Sequence, residues 1–199
     1  MRRWVLGIGA VLGLTAFGAD YLDGWVQAAL SSAAVWGSGA LVAGRRAETR
    51  RQGAVAGAGA LVVATLVYYL LIVFVSRRWQ GQFLEDGSSG DMNGLLSIAR
   101  ATGFWLAGSV VGGAVLGLLG RLIAEGSAIA AGVAWALLAG QGIATLTLSG
   151  VVLATVVVGL LVTRQTKYTT AVLAAVVAGA ASAGAWYVLQ YALTYGLLF

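Results

Sequence analysis

The sequence predicts an all-α fold: a polytopic transmembrane helical bundle of seven spans, with six spans as the alternative. Three observations predict it. Of the 199 residues, 60% are hydrophobic and only 10% are charged, with a mean hydropathy of +0.90, whereas soluble domains carry roughly 25% charged residues. The apolar residues gather into segments near the length of about 20 residues that crosses a bilayer core of about 30 Å. The basic residues gather in alternate connections between those segments, the mark of membrane topology.

The elements follow in order. Met1-Arg2-Arg3 precedes a first span over 4–19, and Asp20 and Asp23 make the polar turn after it. A second span covers 25–44 and ends at the densest charge run, Arg45-Arg46-Ala47-Glu48-Thr49-Arg50-Arg51. A third covers 53–76. An outer loop over about 77–94 carries Glu85, Asp86 and Asp91, and a fourth span occupies 101–122. The stretch 128–163 has no charge. As one straight helix it would run about 54 Å, far beyond a bilayer core, so it is expected to fold back at Ser149-Gly150 into spans 128–148 and 150–163. The rival break is Gly140-Gln141-Gly142, which would make a buried half-helix of the kind some transporters use. The last span covers 169–193. Together these form a single transmembrane domain over 1–199.

Charge sets the orientation. With the N-terminus inside and seven crossings, the inner face receives nine bases (Arg2, Arg3, Arg45, Arg46, Arg50, Arg51, Arg121, Arg164, Lys167) and the outer face three (Arg77, Arg78, Arg100). The C-terminus then lies outside. A single crossing by 128–163 reduces the split to seven against five, so the positive-inside rule favours seven. An alternative reading makes residues 1–19 a cleaved signal peptide, with two arginines, an apolar stretch and small residues at Ala16 and Gly18. A faint repeat also shows. The second span, a basic turn and the third span resemble the sixth, a basic turn and the last, leading to Tyr68-Tyr69 in one and Trp186-Tyr187 in the other.

The same composition excludes several chemistries. There is no cysteine or histidine, which removes disulfides, thiol nucleophiles, imidazole bases and the usual zinc ligands. No proline is present to kink a helix. The net charge of +5 is assigned to topology rather than nucleic-acid binding, because the bases flank apolar spans in short connections. Asp20, Arg100, Arg121 and Glu125 all fall near span ends, so no ionisable group is expected at mid-membrane, where one would mark a proton path. Serine and threonine have no base beside them at depth. The glycines lack the Lys-Ser/Thr of a phosphate loop. The chain is therefore read as non-enzymatic, with no catalytic residues, metal site or cofactor.

The remaining candidates are neutral. Gln141, flanked by Gly140 and Gly142 and followed by Thr145, has an amide that seeks a partner on a neighbouring helix. Trp36, Tyr68, Tyr69, Trp105 and Trp135 lie inside their spans, whereas Trp4, Trp25, Trp79, Tyr21, Tyr168, Tyr191 and Tyr195 sit at span ends as an interfacial belt. Gln141, Thr145, Trp135, Trp36, Tyr68 and Tyr69 are the candidate ligand pocket, with ordinary packing as the bland account. Gly108, Gly112, Gly113, Gly117 and Gly120 form a small-residue stripe suited to close helix packing, and Gly9 with Gly13 and Gly53 with Gly57 repeat its spacing.

Several segments together resemble an uncharacterised family of small multi-pass bacterial membrane proteins. They are Ala34-Val35-Trp36-Gly37 leading to Ala43-Gly44-Arg45, the Tyr68-Tyr69 pair, Gly112-Gly113 to Gly120-Arg121, and Leu138-Ala139-Gly140-Gln141-Gly142. The resemblance implies architecture and a bacterial inner-membrane location, with no assigned activity. That family carries an acidic residue where Gln141 stands and a glycine where Val67 stands. A looser similarity is to the substrate-capturing subunits of energy-coupling-factor vitamin transporters, which look to a partner through small residues on the first helix, here Gly7, Gly9, Ala10 and Gly13. The functional expectation is an integral membrane protein that binds or moves a small molecule. The alternative is a structural or assembly subunit packing on another membrane protein, or on its own copy, through glycine-rich faces. The bilayer is a partner in either case and nucleic acid in neither. A cavity around Gln141 and Trp135 would favour the first, solid packing there the second.

Overall fold

The structure, a computed structural model, describes residues 3–81, 89–145, 148–162 and 168–194. These build a helical bundle: α1 (Arg3–Ala19), α2 (Gly24–Leu30), α3 (Ala33–Arg45), α4 (Arg50–Leu71) continued by a π-helical turn (Ile72–Ser76), α5 (Asp91–Ala124), α6 (Ala128–Ala144), α7 (Leu148–Leu161) and α8 (Tyr168–Thr194). Four segments are long and apolar enough to cross a membrane: Gly24–Arg45 taken together, Arg50–Ser76, Asp91–Ala124 and Thr169–Ala192. The helices Arg3–Ala19, Ala128–Ala144 and Ser149–Leu161 are apolar but shorter.

The bounds depart from the sequence expectation at three places. The stretch 25–44 is not one helix but breaks at Ser31 and Ser32. Ser32 Oγ donates to Ala29 O at 2.6 Å, and Ala33 N–H, freed at the new helix start, donates to Gln141 Oε1 at 2.6 Å. A serine competing for backbone partners, with an external acceptor ready for the freed donor, makes a break affordable without proline. Helix α5 begins at Asp91 rather than near 101. Its 34 residues span about 51 Å, so it outruns an apolar slab. The turn in 128–163 follows α6 at Thr145, so Ser149 and Gly150 lie within α7, and the helix runs unbroken through Gly140-Gln141-Gly142. Glu85, Asp86, Thr147, Arg164 and Lys167 fall outside the described residues.

Helix ends follow local chemistry. Thr49 Oγ1 accepts from Gln52 N at 3.2 Å and Ser127 Oγ from Ala130 N at 3.2 Å, the side-chain caps expected at helix starts. Helix α5 closes with Gly126 at φ 87°, where Gly126 N–H meets Ile123 O and Ser127 N–H meets Leu122 O, each at 3.0 Å. That paired return requires a left-handed residue, which glycine supplies without a Cβ penalty.

Packing proceeds through small residues. Helices α1 and α4 run parallel, with Gly9 seated on Ala60 and Val63, and Gly13 on Ala64 and Val67. Helices α4 and α5 run antiparallel in backbone contact: Gly57 meets Gly113 and Gly117, and Gly53 meets Gly117. Higher on the same seam, Thr65 and Ser109, both buried, share a hydrogen bond of 2.7 Å. Helix α3 crosses α5 where Gly44 touches Gly117 and Leu41 touches Gly120. In the second half α6 and α8 run parallel, with Gly132 on Ala171 and Ala174 and Gly140 on Ser182. The two halves join in one cluster around Leu41, Ile123, Leu138, Ala154 and Val158. Each half has parallel first and third helices, but α4 packs on both α1 and α3 whereas α6 packs on both α7 and α8. The path repeats; the packing order does not.

The glycine stripe is thus divided. Gly113, Gly117 and Gly120 face inward; Gly112 has open space beside it and Gly108 only the Trp105 ring at 3.9 Å. Gly117→Ala would drive a methyl into Gly53 O and the Gly57 backbone, an overpacking that costs typically about 1–3 kcal/mol. Gly112→Ala meets nothing and should be neutral or stabilising by up to about 1 kcal/mol. Unfolding in mixed micelles titrated with a denaturing detergent checks the pair.

Candidate functional site

Two polar regions sit at opposite ends of the bundle. At the first, α1 ends at Asp20, α4 brings Tyr68 and Tyr69, and the chain after the π-helical turn brings Arg78. Asp20 Oδ2 accepts from the Tyr68 hydroxyl and from Arg78 Nη2, both at 2.9 Å. The Asp20 side chain is only 16% exposed, so its charge is compensated where water is scarce. Trp36 from α3 lies edge-on to Tyr68 at 6.1 Å, and Tyr68 edge-on to Tyr69 at 5.1 Å, the geometry ring quadrupoles prefer.

The backbone is shaped to deliver Arg78. Residues 72–76 widen into a π-helical turn, and Arg77 takes the left-handed conformation at φ 47°. The widened turn leaves Val73 O to accept from Trp79 Nε1 at 3.1 Å. Gly94 on α5 lies against the Trp79 backbone. A π-helical turn beside a left-handed arginine is a local departure from ideal geometry of the sort often found at functional sites.

The other candidate pocket residues have protein partners of their own. Gln141 spends its carbonyl on Ala33 N–H, in effect capping α3 from another helix. Thr145 Oγ1 donates to Gln141 O at 2.8 Å. Trp135 Nε1 donates to Thr155 Oγ1 at 2.9 Å, tying α6 to α7. The structure therefore brings Trp36, Tyr68 and Tyr69 together with Asp20 and Arg78, and gives Gln141, Thr145 and Trp135 separate roles on α6. Around Gln141 the helices are in contact: Gly140 on Ser182, Gly142 beside Gly150, and Gly37 on Leu138.

The second polar region is the arginine-rich end, where the close of α3, the start of α4 and the close of α5 meet. Arg45 Nη1 donates to Leu161 O, and Arg121 Nη1 to Ala47 O at 3.0 Å. Glu125 accepts from Arg50 at 2.9 Å and from Arg121 at 3.1 Å. The Arg50 hydrogen bond, aided by the Arg121 guanidinium, holds the Glu125 carboxyl below the usual carboxylate range. Beside this network an open groove of about 690 Å³ lies between the starts of α1 and α4. Trp4, Val5, Val55 and Ala56 form its apolar wall, and Thr49, Arg51 and Gln52 its polar rim. A smaller recess of about 170 Å³ lies along the start of α5 at Asn93, Leu96, Ser97 and Arg100.

Sequence reasoning missed both assemblies. For the Asp20–Tyr68–Arg78 node a signal existed, since Asp20 and Arg78 fall on the same predicted face with opposite charge. For the groove there was none, because nothing in the sequence says that α1 and α4 are parallel neighbours. No family model matches the chain, and neither a curated protein nor a solved structure matches it.

Asp20→Asn should lower stability by about 1.5–3 kcal/mol, the range for a lost charged hydrogen bond. Tyr68→Phe should cost less, and the double variant less than the sum of the two, with a coupling above about 0.5 kcal/mol. Denaturing-detergent titration of the four proteins measures that cycle. At the other end, a carboxyl lowered on folding stabilises above its unfolded pKa, and this contribution fades as pH falls through the lowered folded value. The melting-temperature gap between the unaltered chain and Glu125→Gln should therefore hold at neutral pH and close below the ordinary carboxylate range near 4.

Proposed function

We propose that this chain is a non-catalytic integral membrane protein that holds a small molecule in the groove between α1 and α4. In this reading it crosses the membrane seven times, with the arginine-rich end inside, as in a bacterial inner membrane. The alternation of helix directions and the gathering of Arg45, Arg46, Arg50, Arg51 and Arg121 at one end support that orientation. With α7 only 14 residues long, about 21 Å, the bilayer around it would have to thin or the helix ends snorkel.

The observation that carries the reading is the groove. Its volume of about 690 Å³ lies in the range of ligand sites, about 300–1,000 Å³, and such sites pair an apolar wall with a few polar groups. The polar rim of Thr49, Arg51 and Gln52 holds no group that serves as a base near neutral pH, which favours binding over catalysis. The contact of helices around Gln141 argues for interhelical adhesion there, and the binding hypothesis moves from Gln141 to the groove.

The assembly reading retains one observation. Gly9, Gly13, Gly113, Gly117 and Gly120 are spent on contacts inside the chain, but Gly108 and Gly112 face outward. A partner would have to use that side of α5.

A ligand panel against the purified chain in neutral detergent tests the proposal. A ligand that raises the melting temperature should lose its effect in Val55→Trp, which fills the groove from an exposed position. Stabilisation that survives Val55→Trp would place the ligand elsewhere.

A further inference from the structure

We infer that the groove between α1 and α4 is a site for an anionic phospholipid from the leaflet that meets the arginine-rich end, with its headgroup on Arg51 and Gln52 and an acyl chain along the exposed Val55 beside Trp4. This rests on the groove reading above and names the class of its ligand.

Three independent features converge. The lining is amphipathic along the helix axis: Arg51 and Gln52 stand one turn nearer the end of α4 than Val55 and Ala56. A water-soluble anion would use the rim and leave the apolar wall bare, whereas an amphiphile uses both. Several arginines nearby are committed: Arg50 and Arg121 to Glu125, Arg45 to Leu161 O, Arg121 also to Ala47 O. Among the described residues Arg46 and Arg51 are not, and of these two Arg51 lines the groove. Arg51 is exposed and has no ion-pair or side-chain hydrogen-bond partner among the described residues. A guanidinium with its donors unspent at the mouth of a groove matches a phosphate, which it can bind in bidentate fashion. Finally, the apolar wall continues into the membrane. Positions 55, 59, 62 and 66 share one face of α4, with Val55 and Leu66 exposed and Gly59 and Val62 half-buried. The face has no polar side chain from Val55 to Leu66, so it stays apolar along its length. Trp4 near the start of α1 borders the groove, and indoles favour membrane interfaces.

The full chain in neutral detergent is assayed by melting temperature and native mass spectrometry with dioleoylphosphatidylglycerol, dioleoylphosphatidylcholine and inorganic phosphate. Phosphatidylglycerol should raise the melting temperature and remain bound in the gas phase, more than phosphatidylcholine does. Arg51→Gln should weaken its retention about tenfold, the effect of one lost charged hydrogen bond. Val55→Trp should remove it, and Arg46→Gln, exposed but outside the groove lining, should leave it unchanged. Equal losses in Arg46→Gln and Arg51→Gln would mean diffuse surface charge and overturn the inference. So would equal retention of the two lipids. Stabilisation by inorganic phosphate that depends on Arg51, with no added effect of lipid, would sink the lipid assignment while keeping the groove as an anion site. Failure of every ligand in the panel would remove both readings.

Discussion

The fold depends on the backbone contact between α4 and α5, where Gly53 and Gly57 meet Gly113 and Gly117. Between helices surrounded by lipid tails, burying an aliphatic side chain gains little, because the alternative environment is equally apolar. Close approach of two backbones is one of the few terms left, and it requires glycine on both sides. Gly44 of α3 reaches the same Gly117, so three helices converge within a turn of one residue. The buried Thr65–Ser109 hydrogen bond fixes the seam further along. With the α4–α5 axis set, α1 lies on the outer side of α4 and the cluster around Leu41, Ile123 and Leu138 joins the second half.

That contact also determines where polar groups end up. A seam of glycines leaves no interior space for charge, so ionisable residues are displaced to the two ends. There they take opposite forms. At the Asp20 end one carboxylate binds a tyrosine and an arginine in a partly buried node. At the other end, Arg50 and Arg121 share Glu125, and Arg45 and Arg121 donate to backbone carbonyls. Exposed ion pairs are individually weak. The arginine cluster therefore contributes little to the stability of the bundle.

The sequence made the helices legible because hydropathy and segment length are local properties. Residues 4–19 and α1 nearly coincide, and Gly113, Gly117 and Gly120 read as packing residues. Less was legible where a distant group decides. The break at Ser31-Ser32 needs the Gln141 carbonyl waiting for Ala33 N–H, a partner 108 residues away, and neither serine alone announces it. The same contact explains why Gln141 resembled a ligand residue: an amide inside an apolar span needs a partner, and the sequence cannot show that the partner is a backbone N–H. Gly108 and Gly112 share the spacing of their inward neighbours, yet the 3.6-residue period turns them to the far side of α5. The Asp20–Arg78 pair and the groove depend on helix adjacency, which periodicity does not encode.

The groove has a physical origin in the same small-residue logic. Helices α1 and α4 touch at Gly9 on Ala60 and at Gly13 on Ala64. Toward their N-termini the glycines of both helices lie off this seam, Gly53 and Gly57 against α5 and Gly7 in open space, and Trp4, Val5, Val55 and Ala56 line the groove. Val5 stays buried against Ala56 and Ala60 there, and the groove lies beside that contact, with Val55 exposed. In the α6–α8 pair, by contrast, Gly132 and Gly140 keep the backbones close over two turns, and the seam stays shut. What distinguishes the groove from a packing fault is Arg51, an exposed charge at the rim with no ion-pair partner among the described residues.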